Sequence, residues 1–490
     1  MHDDANKKPK GESLKNKTIN GVVWSAVERF LVYGVQMIVQ LVIARILSPT
    51  DFGLIGMLTI FIAVSQSFID SGFSQALVRK QNRTETDNST VFYFNIVMSC
   101  VIYAILYFSA PAVADFYKEP QLVSLMRVLC LVLIINSFAV VQRAIYTASI
   151  NFKTQAKATF TAVLLSGIVG VVMAVRGYGV WSLVFQQLSN ALLNTLLLWA
   201  AYSSWRPRWI FSWVSFREMY SFGWKLLASG LLNTLYSNIY LLLIGKVYTK
   251  ESLGHYTQAH TFAQLPSANA TSIIQRVTYP VLCSIQDDDE RLSRNYRQLL
   301  KLSAYLIFPI MCGLAAISRP LVFVLIGDKW LFASQLLVPM CFSMLWYPIH
   351  AINLNLLQVK GRSDLFLRLE IIKKFVGATT LVIGIRFGVY VLCWIGILSS
   401  LFCLFINTYY TGKLINVGFL KQMGDLLPTL GISLLMFLLV RFCIGFISSD
   451  WLQVVTGVLI GMTFYAGMTH VLKFSEYAYL KSIVANRFSK

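Results

Sequence analysis

Apolar residues in this chain occur neither in strict alternation nor at amphipathic spacing alone. They come in long runs bounded by charge, proline or glycine. A bilayer core of about 30 Å takes about 20 apolar residues of helix, and fourteen runs of roughly that length can be marked: 19–47, 52–77, 91–114, 122–144, 158–175, 180–202, 220–247, 253–285, 299–317, 333–359, 365–385, 388–411, 426–447 and 452–472. The eighth and tenth are over-long and carry Pro266, Pro280, Pro339 and Pro348, which predicts kinks or tilts. A further apolar patch near Pro320 reads as re-entering. The pattern predicts an all-α integral membrane protein.

The runs repeat. Gly21 to Gly56 and the stretch from Gly223 onward each hold one long helix ending in a short polar turn and then Phe52-Gly53 or Leu253-Gly254. Arg176-Gly177-Tyr178-Gly179-Val180 and Ile385-Arg386-Phe387-Gly388-Val389 fall between the fifth and sixth helices of the two halves. The expected architecture is two pseudo-symmetric six-helix bundles plus two C-terminal helices. Its segments are a cytoplasmic tail at 1–18, bundles at 19–203 and 220–415, a linker at 204–219, two further spans within 416–473 and a tail at 474–490. Two parallel repeats suit alternating access, in which a site opens to one side at a time. The linker mixes Trp205, Trp209, Phe211 and Trp213 with Arg206, Arg208 and Arg217, the composition of a helix lying in the inner interface.

Composition sharpens this picture. Of 490 residues 56% are hydrophobic and only 13% charged, about half the charged share of a soluble domain, so no sizeable soluble catalytic domain fits. The net charge of +20 would raise nucleic-acid binding in a soluble chain; here it orients the chain in the bilayer. With the N-terminus in the cytoplasm, thirty Lys and Arg fall on the inner side and nine on the outer, as basic residues do in membrane proteins. Both termini are then cytoplasmic. The first run is too long and too charged at Glu28 and Arg29 for a cleaved leader. The eight cysteines lie mostly within apolar runs without a CxxC pair, so they read as packing residues, with no disulfide frame, metal site or cofactor expected.

Polar residues share a face on four runs. The first carries Ser25, Arg29, Tyr33, Gln36 and Gln40; the second Thr59, Gln66, Asp70 and Ser74; the seventh Ser221, Lys225, Ser229, Asn233, Tyr236 and Tyr240; the eighth His260, Gln264, Ser267, Thr271 and Gln275. One reading is a shared water-filled cavity, the other a dry bundle joined by interhelical hydrogen bonds. Arg29, about 15 Å deep by helix rise, costs several kcal/mol unless solvated or paired, which favours the cavity. Arg29, Lys225 and Arg276 are the candidate anion-binding cations, Gln36, Gln40 and Gln264 candidate sugar-binding amides, and Glu28 and Asp70 candidate ion-coupling carboxylates. Arg127 reads as snorkelling outward, and His255 and His260 as hydrogen-bonded helix residues. Asp287 to Arg291 and Glu290 to Arg294 are spaced as i, i+4 pairs at a solvated helix start. Gly384 with Gly388, and Gly457 with Gly461, are packing signals.

Ala44 to Gly53 (ARILSPTDFG), Phe68 to Phe73 (FIDSGF), Leu253 to Ala259 (LGHYTQA), Tyr279 to Leu282 and Gly327 to Trp330 resemble the polysaccharide-transporter branch of the multidrug/oligosaccharidyl-lipid/polysaccharide exporter superfamily, the Wzx-type flippases. The likeness covers nearly the whole chain. It implies paired six-helix bundles, a cavity lined by helices one, two, seven and eight, and transport of a polyprenyl-diphosphate-linked oligosaccharide from the inner to the outer leaflet of the bacterial cytoplasmic membrane. The product would be a lipopolysaccharide, capsule or exopolysaccharide. Expected partners are that lipid-linked substrate, membrane lipids and the polymerase machinery, with no nucleic acid. A related branch flips the peptidoglycan precursor and carries charge on helix one near the position of Glu28-Arg29. This chain lacks the basic residue that branch has in helix two.

Two other readings stand beside it. A cation-coupled drug exporter of the same superfamily calls for a more acidic, more apolar cavity. A membrane glycosyltransferase, polymerase or ligase needs carboxylates on a sizeable outer loop, whereas Asp115, Glu119, Glu251, Asp328 and Asp450 are scattered over short ones. The sequence therefore points away from an enzyme.

Overall fold

A computed structural model describes residues 31–70, 73–80, 83–149, 151–201, 205–478 and 481. Every regular element among them is helical. The chain divides into two compact units, Met1–Glu251 and Ser252–Lys490. The first holds α1 (Leu31–Ile46), then α2 (Pro49–Asp70), α3 (Phe73–Arg79), α4 (Glu85–Tyr117), α5 (Gln121–Leu129), α6 (Leu131–Ser137), α7 (Val140–Ala148), α8 (Phe152–Val175), α9 (Trp181–Ala201) and α10 (Trp213–Val247). The second holds α11 (Lys250–Cys283) apart from its first two residues, which belong to the first unit, then α12 (Asp289–Ala316), α13 (Ser318–Ile326), α14 (Leu331–Met344), α15 (Tyr347–Val359), α16 (Ser363–Gly384), α17 (Val389–Ile415), α18 (Phe419–Ile444) and α19 (Asp450–Val471). Among the described residues nine helices, or ten if one bent pair counts as a span, are long and apolar enough to cross a bilayer.

Two apolar runs that read as single spans are broken. The run at 122–144 becomes α5, α6 and α7, with a 41° bend before α7. A break within a membrane frees carbonyls that lipid cannot satisfy. Here α9 supplies the donors: Thr195 Oγ1 reaches Ile135 O at 3.2 Å and Trp199 Nε1 reaches Phe138 O at 3.0 Å. The run at 333–359 divides into α14 and α15, with Pro348 in the first turn of α15, where its missing N–H costs nothing. The patch near Pro320 is the short α13. By contrast α11 stays one helix through Pro266 and Pro280.

The linker differs from the interfacial helix expected of it. Residues 205–212 are irregular and helix begins only at Trp213. Pro207 explains this, because it lacks an N–H and holds its neighbour out of the helical region. This irregular segment is strapped across the start of α4. Trp205 is buried against Phe92 and Trp199, while Ser89 Oγ and Thr90 Oγ1 accept the backbone N–H groups of Arg208 and Ser212, each at 3.1 Å.

Glycines at the repeated positions have distinct physical reasons. Gly179 and Gly388 take φ of +54° and +98° before α9 and α17, a region open chiefly to glycine. Gly53 sits against backbone: a Cβ there would lie 1.8 Å from Lys250 O. Gly167 and Gly170 let α8 approach Val39 and Ile43 of α1. In the second unit a Cβ on Gly457 would meet Ile317 Cγ2 at 2.6 Å, while Gly461 has ordinary spacing from Met436.

Candidate functional site

In the first unit α10 packs along α2, joined by Ser67 and Thr234 hydroxyls 2.9 Å apart. This contact fixes how α10 is rotated. With Thr234 turned to α2, the neighbouring stripe of Ser229, Asn233 and Ser237 is exposed, and Gly230 has nothing within 4 Å of its Cβ direction. On α1, Val32, Ile43 and Ala44 are buried whereas Tyr33 and Gln36 are exposed and Gln40 is half-buried. Deeper in the unit polar groups pair with one another, as in Gln66 with Asn136 at 3.4 Å between α2 and α6.

In the second unit the stripe on α11 splits between two roles. Gln264 is exposed, and His260 is half-buried and stacked on Tyr256. Ser267 and Thr271 are buried: Ser267 Oγ donates to Met344 O at 2.7 Å and Thr271 Oγ1 to Ser267 O at 2.7 Å. Gln275 reaches Asn355 at 3.5 Å. These lower positions are the dry interhelical bonding that amides and hydroxyls commonly make in membranes.

Of the candidate residues, Gln36, Gln40 and Gln264 thus have described side chains, two exposed and one half-buried. Glu28 and Arg29 lie outside the described residues. Asp70, Lys225 and Arg276 fall on α2, α10 and α11, with side chains outside the described set. Arg127 makes its contacts on α4, its guanidinium 4.3 Å from the Tyr107 ring centre. The i, i+4 pairs expected near 290 do not form: Asp288 caps α12 through Arg291 N at 2.9 Å, and Asp289 binds Lys360 at 2.6 Å.

Charged clusters that sequence spacing left unread tie helix ends together. Lys80, after α3, lies 3.1 Å from Asp87 of α4 and 2.9 Å from Glu218 of α10. The hydrogen bond that Lys80 donates to Glu218 holds the Lys80 pKa above its ordinary value against the opposing effect of burial, with Asp87 adding to it. Lys250 meets Glu119 at 2.9 Å. In the second unit Asp425 of α18, nearly fully buried, receives Nε and Nη2 of Arg297 at 2.7 and 2.8 Å and Lys301 Nζ at 3.1 Å. The available signal was Asp425 itself, one acid at the edge of an apolar run, since an ionisable group there needs a partner.

Residues 42–335 match the model of a family described as polysaccharide biosynthesis protein. The chain belongs to that family, the Wzx-like branch of the exporter superfamily. As a family member it is a multi-pass membrane protein of polysaccharide biosynthesis. It is 26% identical over 373 residues to the lipopolysaccharide biosynthesis protein WzxC of Escherichia coli, covering 76% of each chain. It is 25% identical over 358 residues to the teichuronic acid biosynthesis protein TuaB of Bacillus subtilis, covering 72% of this chain and 73% of that one. The fold is similar to that of a solved structure of the lipid II flippase MurJ, itself in an inward closed conformation, with a TM-score of 0.73 at 14% identity over 93% of this chain and all of that one.

Proposed function

We propose that this family member is a flippase. It carries a polyprenyl-diphosphate-linked oligosaccharide from the inner to the outer leaflet of the bacterial cytoplasmic membrane, for assembly of a surface polysaccharide. The reading includes fourteen spans, arranged as two six-helix bundles and two C-terminal helices, with both termini cytoplasmic. The observation that carries it is the exposed polar stripe Ser229, Asn233 and Ser237 on α10, in a chain whose fold is similar to that of a lipid flippase over 93% of its length. Lipid-facing helices have no reason to align amides and hydroxyls, whereas sugars need many such partners.

In this mechanism Arg29, Lys225 and Arg276 hold the diphosphate, since a weakly hydrated guanidinium gains most from a doubly charged acceptor. Gln36, Gln40, Gln264 and Asn233 bond the sugar hydroxyls, and the polyprenyl tail stays in lipid. Glu28 and Asp70 carry the coupling ion. No covalent bond is made or broken, so the work is differential binding by alternating conformations.

The test is reconstitution with a lipid-linked oligosaccharide, following its exposure to a glycosidase outside the vesicle. Wild type should expose it, Arg29→Ala and Asn233→Leu should each slow exposure roughly tenfold or more, and Leu232→Ala should match wild type. Exposure that is independent of protein, or equal in all four proteins, rejects the mechanism.

A further inference from the structure

The second unit contains a cleft of about 950 Å³ that the transport reading does not use. It opens where α12 begins, α17 ends and α18 begins, with residues 475–476 after α19 closing one side. Asn416, at φ +59°, turns the chain between α17 and α18. Gly412 and Gly418 bring the two helix ends together, since a Cβ on Gly412 would lie 3.1 Å from Gly418 Cα. The walls carry Arg294, Arg297, Lys301, Lys413 and Lys421.

These cations are not all spent within the protein. Arg297 and Lys301 share the single carboxylate of Asp425. Lys413 Nζ lies 4.6 Å over the Tyr409 ring, and Lys421 Nζ donates to Asn416 O at 2.8 Å. Neither contact neutralises charge. Arg294 is exposed and makes no ion pair among the described residues. On the acidic side Asp289 is occupied by Lys360, Glu290 lies at the rim, and Glu476 is buried beside Tyr305 and Tyr465. Counting Lys360, six cations face four carboxylates. The positive end of α18 adds to this potential, because its N-cap Gly418 carries no side-chain cap and lies between Val417 and Lys421 of the cleft wall.

The geometry points to a binding site for the phosphate of an anionic membrane-lipid headgroup, held by Arg294, Lys413 and Lys421 with Arg297 and Lys301 behind them. Phosphate is the shared chemistry of a lipid headgroup and a soluble phosphate compound. The surroundings favour the lipid: the cleft lies at the ends of apolar spans, and its rim exposes Leu420 beside Lys421, with Tyr409 and Leu472 also exposed. A headgroup fits with charge inward and acyl chains along the outer faces of α17 and α18. In the proposed topology the cleft falls on the inner side, which collects most of the chain's basic residues and whose leaflet's anionic lipids attract such clusters.

Native mass spectrometry of the full chain, titrated with cardiolipin and separately with phosphatidylcholine, tests this. Cardiolipin should bind and phosphatidylcholine should not compete. Arg294→Gln/Lys413→Gln/Lys421→Gln should weaken cardiolipin binding roughly tenfold or more, given the strength of each basic contact at a charged surface. A variant with the same charge loss outside the cleft, Arg217→Gln/Arg291→Gln/Arg368→Gln, should bind as wild type. Equal loss in both triple variants would reduce the effect to general surface charge and overturn the site. Displacement of cardiolipin by millimolar pyrophosphate would assign the cleft to a soluble phosphate and overturn the lipid. The readout does not depend on transport, so failure of the flippase reading leaves it standing, and the reverse.

Discussion

Helices α10 and α12 are each apolar enough to span a bilayer, yet they are built for opposite surroundings. Only 6% of the spanning window of α10 is buried within the protein, against 56% for α12. Along its packed side α12 commits its polar groups to neighbouring helices, Arg297 and Lys301 to Asp425, Tyr296 to Gln422 and Tyr305 to Thr469, while Arg294 is exposed. On α10 the stripe of Ser229, Asn233 and Ser237 is exposed, with Ser237 donating to Asn233 O of its own helix. A polar residue in an apolar helix therefore has two uses, and exposure separates them. Buried, it fixes helix register; exposed, it is available to something other than the protein.

The largest effect should come from the packed side of this comparison. Gln422, wholly buried on α18, brings its amide nitrogen within reach of Asn353, Thr411, Tyr296 and Val417. Gln422→Leu would strand several of these groups, at roughly 1–3 kcal/mol for each one left unpaired, while Asn233→Leu on α10 should stay within about 0.5 kcal/mol. Thermal unfolding in detergent, followed by a thiol-reactive dye that reports exposure of Cys130, Cys312, Cys341 and Cys393, measures both. Matching melting temperatures for the two variants would remove the distinction.

A smaller contrast lies in the glycines. Gly457→Ala forces a methyl toward Ile317 at 2.6 Å and should cost about 1–3 kcal/mol. Gly230→Ala on α10 meets open space and should stabilise by up to about 1 kcal/mol through helix propensity. The same dye assay should move the two melting temperatures in opposite directions. A shift of the same sign would mean that α10 is packed in the working protein.

The mildest perturbation asks about surroundings rather than energy. In a Cys100→Ser background, Ser237→Cys should react readily with a small charged thiol reagent, and Thr271→Cys, buried on α11, should be protected. Equal protection would show that the α10 stripe faces lipid or another dry surface.

Sequence pattern alone established the helical membrane class, the long runs and the family, because insertion into lipid is governed by summed hydropathy over about 20 residues and motifs such as Ala44 to Gly53 are local. It also singled out Gly53, Gly179 and Gly388, though not their reasons. Tertiary structure decided which polar residues serve packing and which are exposed. Ser267 and Gln264 lie on the same sequence stripe yet have opposite fates, since a helical face says where residues align and only the neighbouring helix says what they meet. It also decided the breaks in the fourth and tenth runs, where donors from α9 or the placement of Pro348 support the turn. The Arg297–Lys301–Asp425 cluster and the cleft beside it came from the same source. Their residues are far apart in sequence, and electrostatic pairing depends on distance through space, which no spacing along the chain encodes.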